Sequence, residues 1–216
     1  MASKVQSNEL GPGEHPEPPK GLGDLTFTLA NFEDALFRSH RKEHSPLFFS
    51  TGDDYRFNAP AKEFGTCYFA PTVQCCFLET YRHDTASASE ITKTELERRR
   101  LATIEIISPS LRLIDLTGPG LAQIGADARL TTGNYRIAQR WSLFFWRNSD
   151  ADGLVYRSRI DPNLNSIALY ERASKKLKHL ESDSFLSPKL IDTFRGILST
   201  YNISYIDDTE PFDPTA

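Results

Sequence analysis

The side chains with chemical reach in this chain lie far apart in sequence: Arg38, Arg56, Glu79 and Ser158, with Tyr68 and Tyr156 beside them. Ser158 stands between Arg157 and Arg159 at the end of Asp152–Asp161, written DGLVYRSRID. A hydroxyl among guanidinium groups suits a phosphate-bearing ligand: the serine donates a hydrogen bond to a phosphate or sugar oxygen while the cations neutralise charge. No G-x-S-x-G frame surrounds it, so a nucleophile elbow is unsupported. Arg56 sits among aromatics in YRFNAP, and Arg38 lies in LFRSHR. Glu79, three residues after Cys76, falls at the flank of an apolar helical stripe, either on the surface or aimed at a pocket edge. Each residue also has an ordinary reading: a solvated strand end, salt-bridged surface arginines, a surface glutamate and a core tyrosine at position 68.

Several elements must position these groups. Thr66–Ala70 is a short apolar run stopped by Pro71, which suits the first turn of a helix. Val73, Cys76, Phe77, Thr80 and Tyr81 then follow helical spacing. Ala102–Ile107 and Leu111–Leu116 read as strands, as do Leu154–Arg157 and Ser166–Tyr170, while Pro46–Ser50 is a short apolar run. A helix over Tyr135–Arg147 turns Ile137, Ala138, Trp141, Phe144 and Phe145 inward. Ser187–Pro188 reads as the cap and first residue of a last helix, followed by a strand over Ile203–Ile206. Strands and helices mix without regular βαβ alternation, which favours an α+β fold with a mixed β-sheet core and flanking helices. No Rossmann or P-loop glycine fingerprint is present.

Composition narrows the function. At 216 residues the chain suits one large domain. Residues 1–23 are rich in Pro, Gly and Glu and read as a disordered arm, residues 24–208 as a single domain, and 209–216 as a flexible tail. The formal charge of −4, from 25 basic and 29 acidic residues, argues against direct nucleic-acid binding. Arg98–Arg100, preceded by Glu95 and Glu97, reads as a solvated helix face. The lack of an apolar run of about 18 residues excludes a membrane span, and no apolar leader follows Lys4, so a cytoplasmic protein is expected. Cys67, Cys75 and Cys76 read as reduced, buried small hydrophobes. The five histidines show no metal spacing, although His40 and His44 have the separation to share a helix face.

Taken together, LFRSHR, YRFNAPAKEFGTCYFAPTVQCCFLETYRH, LRLIDLTG and DGLVYRSRID resemble the RES-domain family, named for an arginine, a glutamate and a serine. Arg38 and Arg56 match its two arginines, Tyr68 its strand tyrosine, Glu79 its helix glutamate and Ser158 its serine. Two places depart from the pattern: Phe37-Arg38 stands where Tyr-Arg is common, and Thr51–Tyr55 replaces a glycine-rich lead-in. The resemblance implies an ADP-ribosyltransferase-like fold and a toxin of a toxin–antitoxin pair. It also implies consumption of NAD+ at the nicotinamide–ribose bond, by hydrolysis or phosphorolysis.

On that reading Arg38 and Arg56 clamp the pyrophosphate, and Tyr68 stacks on nicotinamide or its ribose. Glu79 stabilises an oxocarbenium-like ribose and holds its 2′-hydroxyl, and Ser158 orients the substrate. Strand alternation puts Tyr156 and Ser158 on one face, toward the pocket, and turns Arg157 and Arg159 elsewhere. No cofactor or metal is expected, with NAD+ as substrate and inorganic phosphate as an optional co-substrate. The partner expected is a helical Xre-type antitoxin. The aromatic face around Trp141–Trp146 serves a homodimer interface as readily as a core. Two alternatives stay open: a protein ADP-ribosyltransferase, and a non-catalytic nucleotide-binding module.

Overall fold

The computed structural model describes residues 15–82 and 90–209. In chain order the strands are β1 (Leu29–Phe32), β2 (Leu36–Arg41), β3 (Thr66–Phe69), β4 (Glu90–Thr92), β5 (Arg99–Ile106), β6 (Leu111–Leu116), β7 (Gly153–Arg157), β8 (Asn165–Tyr170), β9 (Leu177–Asp183) and β10 (Ser204–Ile206). The helices are α1 (Val73–Tyr81), α2 (Lys93–Glu97), α3 (Pro119–Gln123), α4 (Arg129–Thr132), α5 (Tyr135–Asn148) and α6 (Ile191–Thr200).

A mixed five-stranded sheet runs in the order β1-β6-β7-β8-β3. Its one parallel pair, β6 and β7, is bridged by the helical segment that ends in α5, since parallel neighbours need a long crossover. A second, antiparallel sheet has the order β2-β5-β9, and β4 and β10 form a small parallel pair. The molecule is α+β, as the irregular alternation of patterns predicts.

The burial of alternate residues explains the layers. Ile114, Leu116, Leu154, Tyr156, Ala168 and Tyr170 pack on Ala138, Trp141, Phe144 and Phe145 of α5. The opposite face, with Leu113, Val155, Ile167 and Leu169, packs on Leu36, Ala102 and Ile104 of the second sheet. β8 is therefore covered on both sides, and each residue from Ser166 to Tyr170 is buried. Beside these layers α1 and α6 share a third apolar cluster, in which Phe77 meets Phe185 and Phe194.

Gly153 is required at the start of β7: a Cβ there would lie 2.2 Å from the carbonyl oxygen of Ala168 on the neighbouring strand. Asp152 before it is buried and accepts from the Arg112 amide and Lys176 Nζ, each at 2.8 Å. The DG pair thus fixes where the strand that leads to Ser158 begins.

Several boundaries differ from expectation. Pro71 precedes α1 rather than opening it, because Thr72 is the cap and its hydroxyl accepts from the Cys75 amide at 3.1 Å. The last helix begins at Ile191: the Ser187 carbonyl takes the amides of Leu190 and Ile191 in a preceding turn, and its buried hydroxyl caps nothing among the described residues. His40 lies on β2 and holds the carbonyls of Arg41 and His44 through Nδ1, so the two histidines share no helix face. His83 lies outside the described residues, as do 1–14 of the arm and 210–216 of the tail.

Packing reaches back to His15, ahead of the domain start expected at residue 24. His15 is 3% exposed, and its ring meets Trp141 edge-on. The Pro16 carbonyl accepts from the Trp141 indole at 2.8 Å, and Glu17 forms a forked ion pair with Arg140. Composition alone does not show that the outer flank of α5 offers these partners.

Candidate active site

The site grows from the burial pattern of α1. Cys75, Cys76, Phe77, Leu78 and Tyr81 are buried, which leaves Glu79 half-buried on the flank that faces the end of β7. There Glu79 Oε1 accepts a hydrogen bond from Ser158 Oγ at 2.5 Å. Ser158 Oγ in turn accepts from the amides of Ile160 and Asp161 at 3.1 and 3.2 Å. A hydroxyl has one proton and two lone pairs, so this one is fully used.

A cavity of about 320 Å³ opens in front of the carboxylate, within the size range of small-molecule sites. It lies where the two larger sheets touch through the Phe37–Ala70 bridge. Arg38, Arg56, Tyr68, Glu79 and Tyr156 all line it, together with Tyr55, Arg99, Tyr135 and Arg159. Four arginines and a single carboxylate therefore line it, in a chain whose net charge is −4. Such a concentration of positive charge favours an anionic ligand.

Both expected arginines are held by main-chain oxygen. Arg38 Nη1 donates to the carbonyls of Pro46 and Phe48 at 3.0 and 3.1 Å, and also contacts the Cys67 sulfur. Burial pushes the Cys67 thiol up to about 12, so it stays neutral and supplies no counter-charge. Arg56, 8% exposed, donates through Nη1 to the Gly133 carbonyl at 2.7 Å, and its guanidinium stacks 4.4 Å from the Tyr135 ring centre. Burial lowers its pKa from the ordinary arginine value. Among the described residues neither arginine forms an ion pair with a carboxylate. A buried cation without one is costly, and an anion entering the cavity offsets that cost.

The two tyrosines are phenols, each pushed well above the usual range chiefly by burial. The Tyr68 hydroxyl accepts from the Phe57 amide at 2.8 Å and donates to Asn58 Oδ1 at 3.0 Å. It thus orders the loop that carries Arg56 and leaves its ring to the cavity. The Tyr156 ring packs edge-on against Phe57 at 4.8 Å. All three cysteines are buried free thiols.

Three placements differ from the sequence reading. Ser158 does not line the cavity; it stands behind Glu79, its hydroxyl occupied by protein groups. Arg159 does line it, whereas Arg157 turns to the Thr117 carbonyl and Asn165 Oδ1. Strand alternation holds only while the chain is extended, and β7 stops at Arg157. Arg99 is the third. It begins β5 instead of ending a solvated helix, because α2 closes at Glu97. The period-two pattern of β5, carried back from Thr103 through Leu101, is the signal that reaches Arg99. Tyr135, the first residue of α5, and Tyr55 carry no signal beyond being aromatic.

The family model for the RES domain matches residues 35–187. Among solved structures, a chain of the M. tuberculosis MbcT–MbcA toxin–antitoxin complex superposes with a TM-score of 0.58 at 19% sequence identity. The match covers 78% of this chain and 92% of that one, and at this identity the likeness is one of fold. No curated protein matches the chain.

Proposed function

The chain belongs to the RES-domain family, and from that membership and the charge of the cavity we propose that it is an NAD+-consuming enzyme that cleaves the nicotinamide–ribose bond. The observation that carries the proposal is the pairing of Glu79, aimed by Ser158, with Arg56, a buried cation held without a carboxylate beside the same cavity. The pyrophosphate supplies the missing negative charge to Arg56 and Arg38 through charge-assisted hydrogen bonds. Tyr68 and Tyr156 offer aromatic surface to nicotinamide or its ribose.

The bond from ribose C1′ to the nicotinamide nitrogen breaks, and its electron pair leaves with nicotinamide, which becomes neutral. The ribose left behind has oxocarbenium character, as in glycoside cleavage. Glu79 stabilises that developing charge and accepts from the 2′-hydroxyl. A water or inorganic phosphate oxygen then bonds to C1′, and a proton is released to solvent when water is the acceptor. Ser158 acts on Glu79 rather than on substrate, because its hydroxyl already donates its one hydrogen bond to the carboxylate.

The solved complex of similar fold pairs a toxin with an antitoxin, which supports a biological role of the same kind for this chain. We take the partner to be a protein antitoxin that covers the cavity.

Incubation of the folded protein with NAD+, with and without phosphate, should release free nicotinamide. No release under either condition overturns the enzyme reading. NAD+-dependent thermal stabilisation without release makes the protein a nucleotide-binding module instead, and transfer of label from NAD+ onto a protein band makes it an ADP-ribosyltransferase.

A further inference from the structure

The family match ends at residue 187, before α6, yet a residue at the end of that helix is tied to the site. The Tyr201 hydroxyl donates to Asp161 Oδ2 at 2.7 Å and accepts from Gln74 Nε2 at 2.5 Å. Gln74 lies early in α1, the helix that carries Glu79. The other Asp161 oxygen, Oδ1, accepts from the backbone and side-chain nitrogens of Asn163 at 2.9 and 3.0 Å. That contact closes the turn whose Ile160 and Asp161 amides donate to Ser158 Oγ.

The hydrogen bonds therefore leave α1 at Gln74 and pass through Tyr201, Asp161, the turn and Ser158. They return to α1 at Glu79. The direction of each bond matters. Two amides fill the lone pairs of Ser158 Oγ, so its only proton is left for Glu79. The amides face the hydroxyl only while the turn keeps its shape, and Asp161 is the side chain that binds that turn to the helices. Tyr201 itself packs with the apolar cluster shared by α1 and α6. This leaves its ring in place if the hydroxyl is removed.

We infer that Tyr201 is a positioning residue for Glu79, and that the C-terminal helix is thereby a working part of the active site. The inference rests on the reading of Glu79 as the group that acts on the ribose.

The test is a double-mutant cycle on nicotinamide release with Tyr201→Phe, Ser158→Ala and the pair. Tyr201→Phe keeps the ring packing and should lower kcat about ten-fold, the equivalent of one well-made hydrogen bond, with KM for NAD+ changed by less than about two-fold. In the Ser158→Ala background the same substitution should have little further effect, because the path it acts through is already cut. Asp161→Ala cuts that path from the turn, without touching the helix packing, and should reproduce the kcat loss if Tyr201→Phe unfolds at assay temperature. A kcat equal to wild type in both single variants, or losses that multiply with that of Ser158→Ala, overturns the inference and leaves the proposed function standing. A wild-type protein that releases no nicotinamide overturns both.

Discussion

Replacement of Ser158 by alanine separates the two roles a serine can play beside a nucleotide pocket. The substitution removes the donor to Glu79 Oε1 at 2.5 Å and the acceptor for the amides of Ile160 and Asp161. A hydrogen bond to a charged group is worth about 1.5–3 kcal/mol, so a carboxylate freed to rotate should lower kcat by roughly ten- to hundred-fold. The same loss, with the stranded amides partly rehydrated at the turn, should cost about 2–3 kcal/mol of stability. For a domain of this size that is a fall in Tm of roughly 4–12 °C. KM for NAD+ should change by less than about two-fold, since Ser158 is not among the residues lining the cavity. Steady-state nicotinamide release over a range of NAD+ concentrations, with thermal unfolding of the same preparation, checks all three expectations. A raised KM with kcat intact would place the hydroxyl on the substrate and refute the reasoning. An unchanged kcat would show that Glu79 does not depend on Ser158 for its orientation.

Glu79→Gln should keep its bond from Ser158 and its fold, yet lose about a hundred- to thousand-fold in kcat, because the charge that meets the oxocarbenium is gone; kinetics beside a thermal melt decide it. Arg56→Met should raise KM for NAD+ by about ten- to hundred-fold while Tm stays level or rises, since the variant removes a buried cation that no carboxylate balances. Stability should also depend on pH. His15 and His40 are held below the ordinary histidine value, chiefly by burial, so the fold prefers them neutral. Their contribution is complete above about pH 6.5 and is lost as pH falls below it, where the unfolded chain binds protons more readily. Urea midpoints between neutral and mildly acidic pH should fall, and His15→Gln should flatten the slope.

The legible parts of this protein are those in which one physical pattern dominates. α5 shows its amphipathic stripe plainly, and β6 and β8 are apolar runs with clear ends. β9, by contrast, is LKHLESD with four exposed residues in a row, and nothing in it marks a strand until β5 is there to pair with it. The cavity residues are legible through family resemblance, which leads to Arg38, Arg56, Tyr68 and Glu79, all of which line it. Arg159 and Ser158 exchange the placements that strand alternation predicts, because their turn departs from strand periodicity. That turn is closed locally by Asp161 and Asn163, in an Asp-Pro-Asn sequence that reads as a turn, but its tie to Tyr201 joins distant segments and leaves no local trace.

The two arginines rest on Pro46 O, Phe48 O and Gly133 O, and a carbonyl oxygen is present whatever side chain its residue bears. The segments beneath the cations can therefore drift in sequence without losing the contact, provided the backbone keeps its course. Gly133 is the exception, because a Cβ there would meet the Arg129 carbonyl at 2.6 Å. Mutational tolerance around this pocket should accordingly follow chain geometry. Positions 46 and 48 should accept many residues that leave the loop path unchanged, while position 133 should accept almost none.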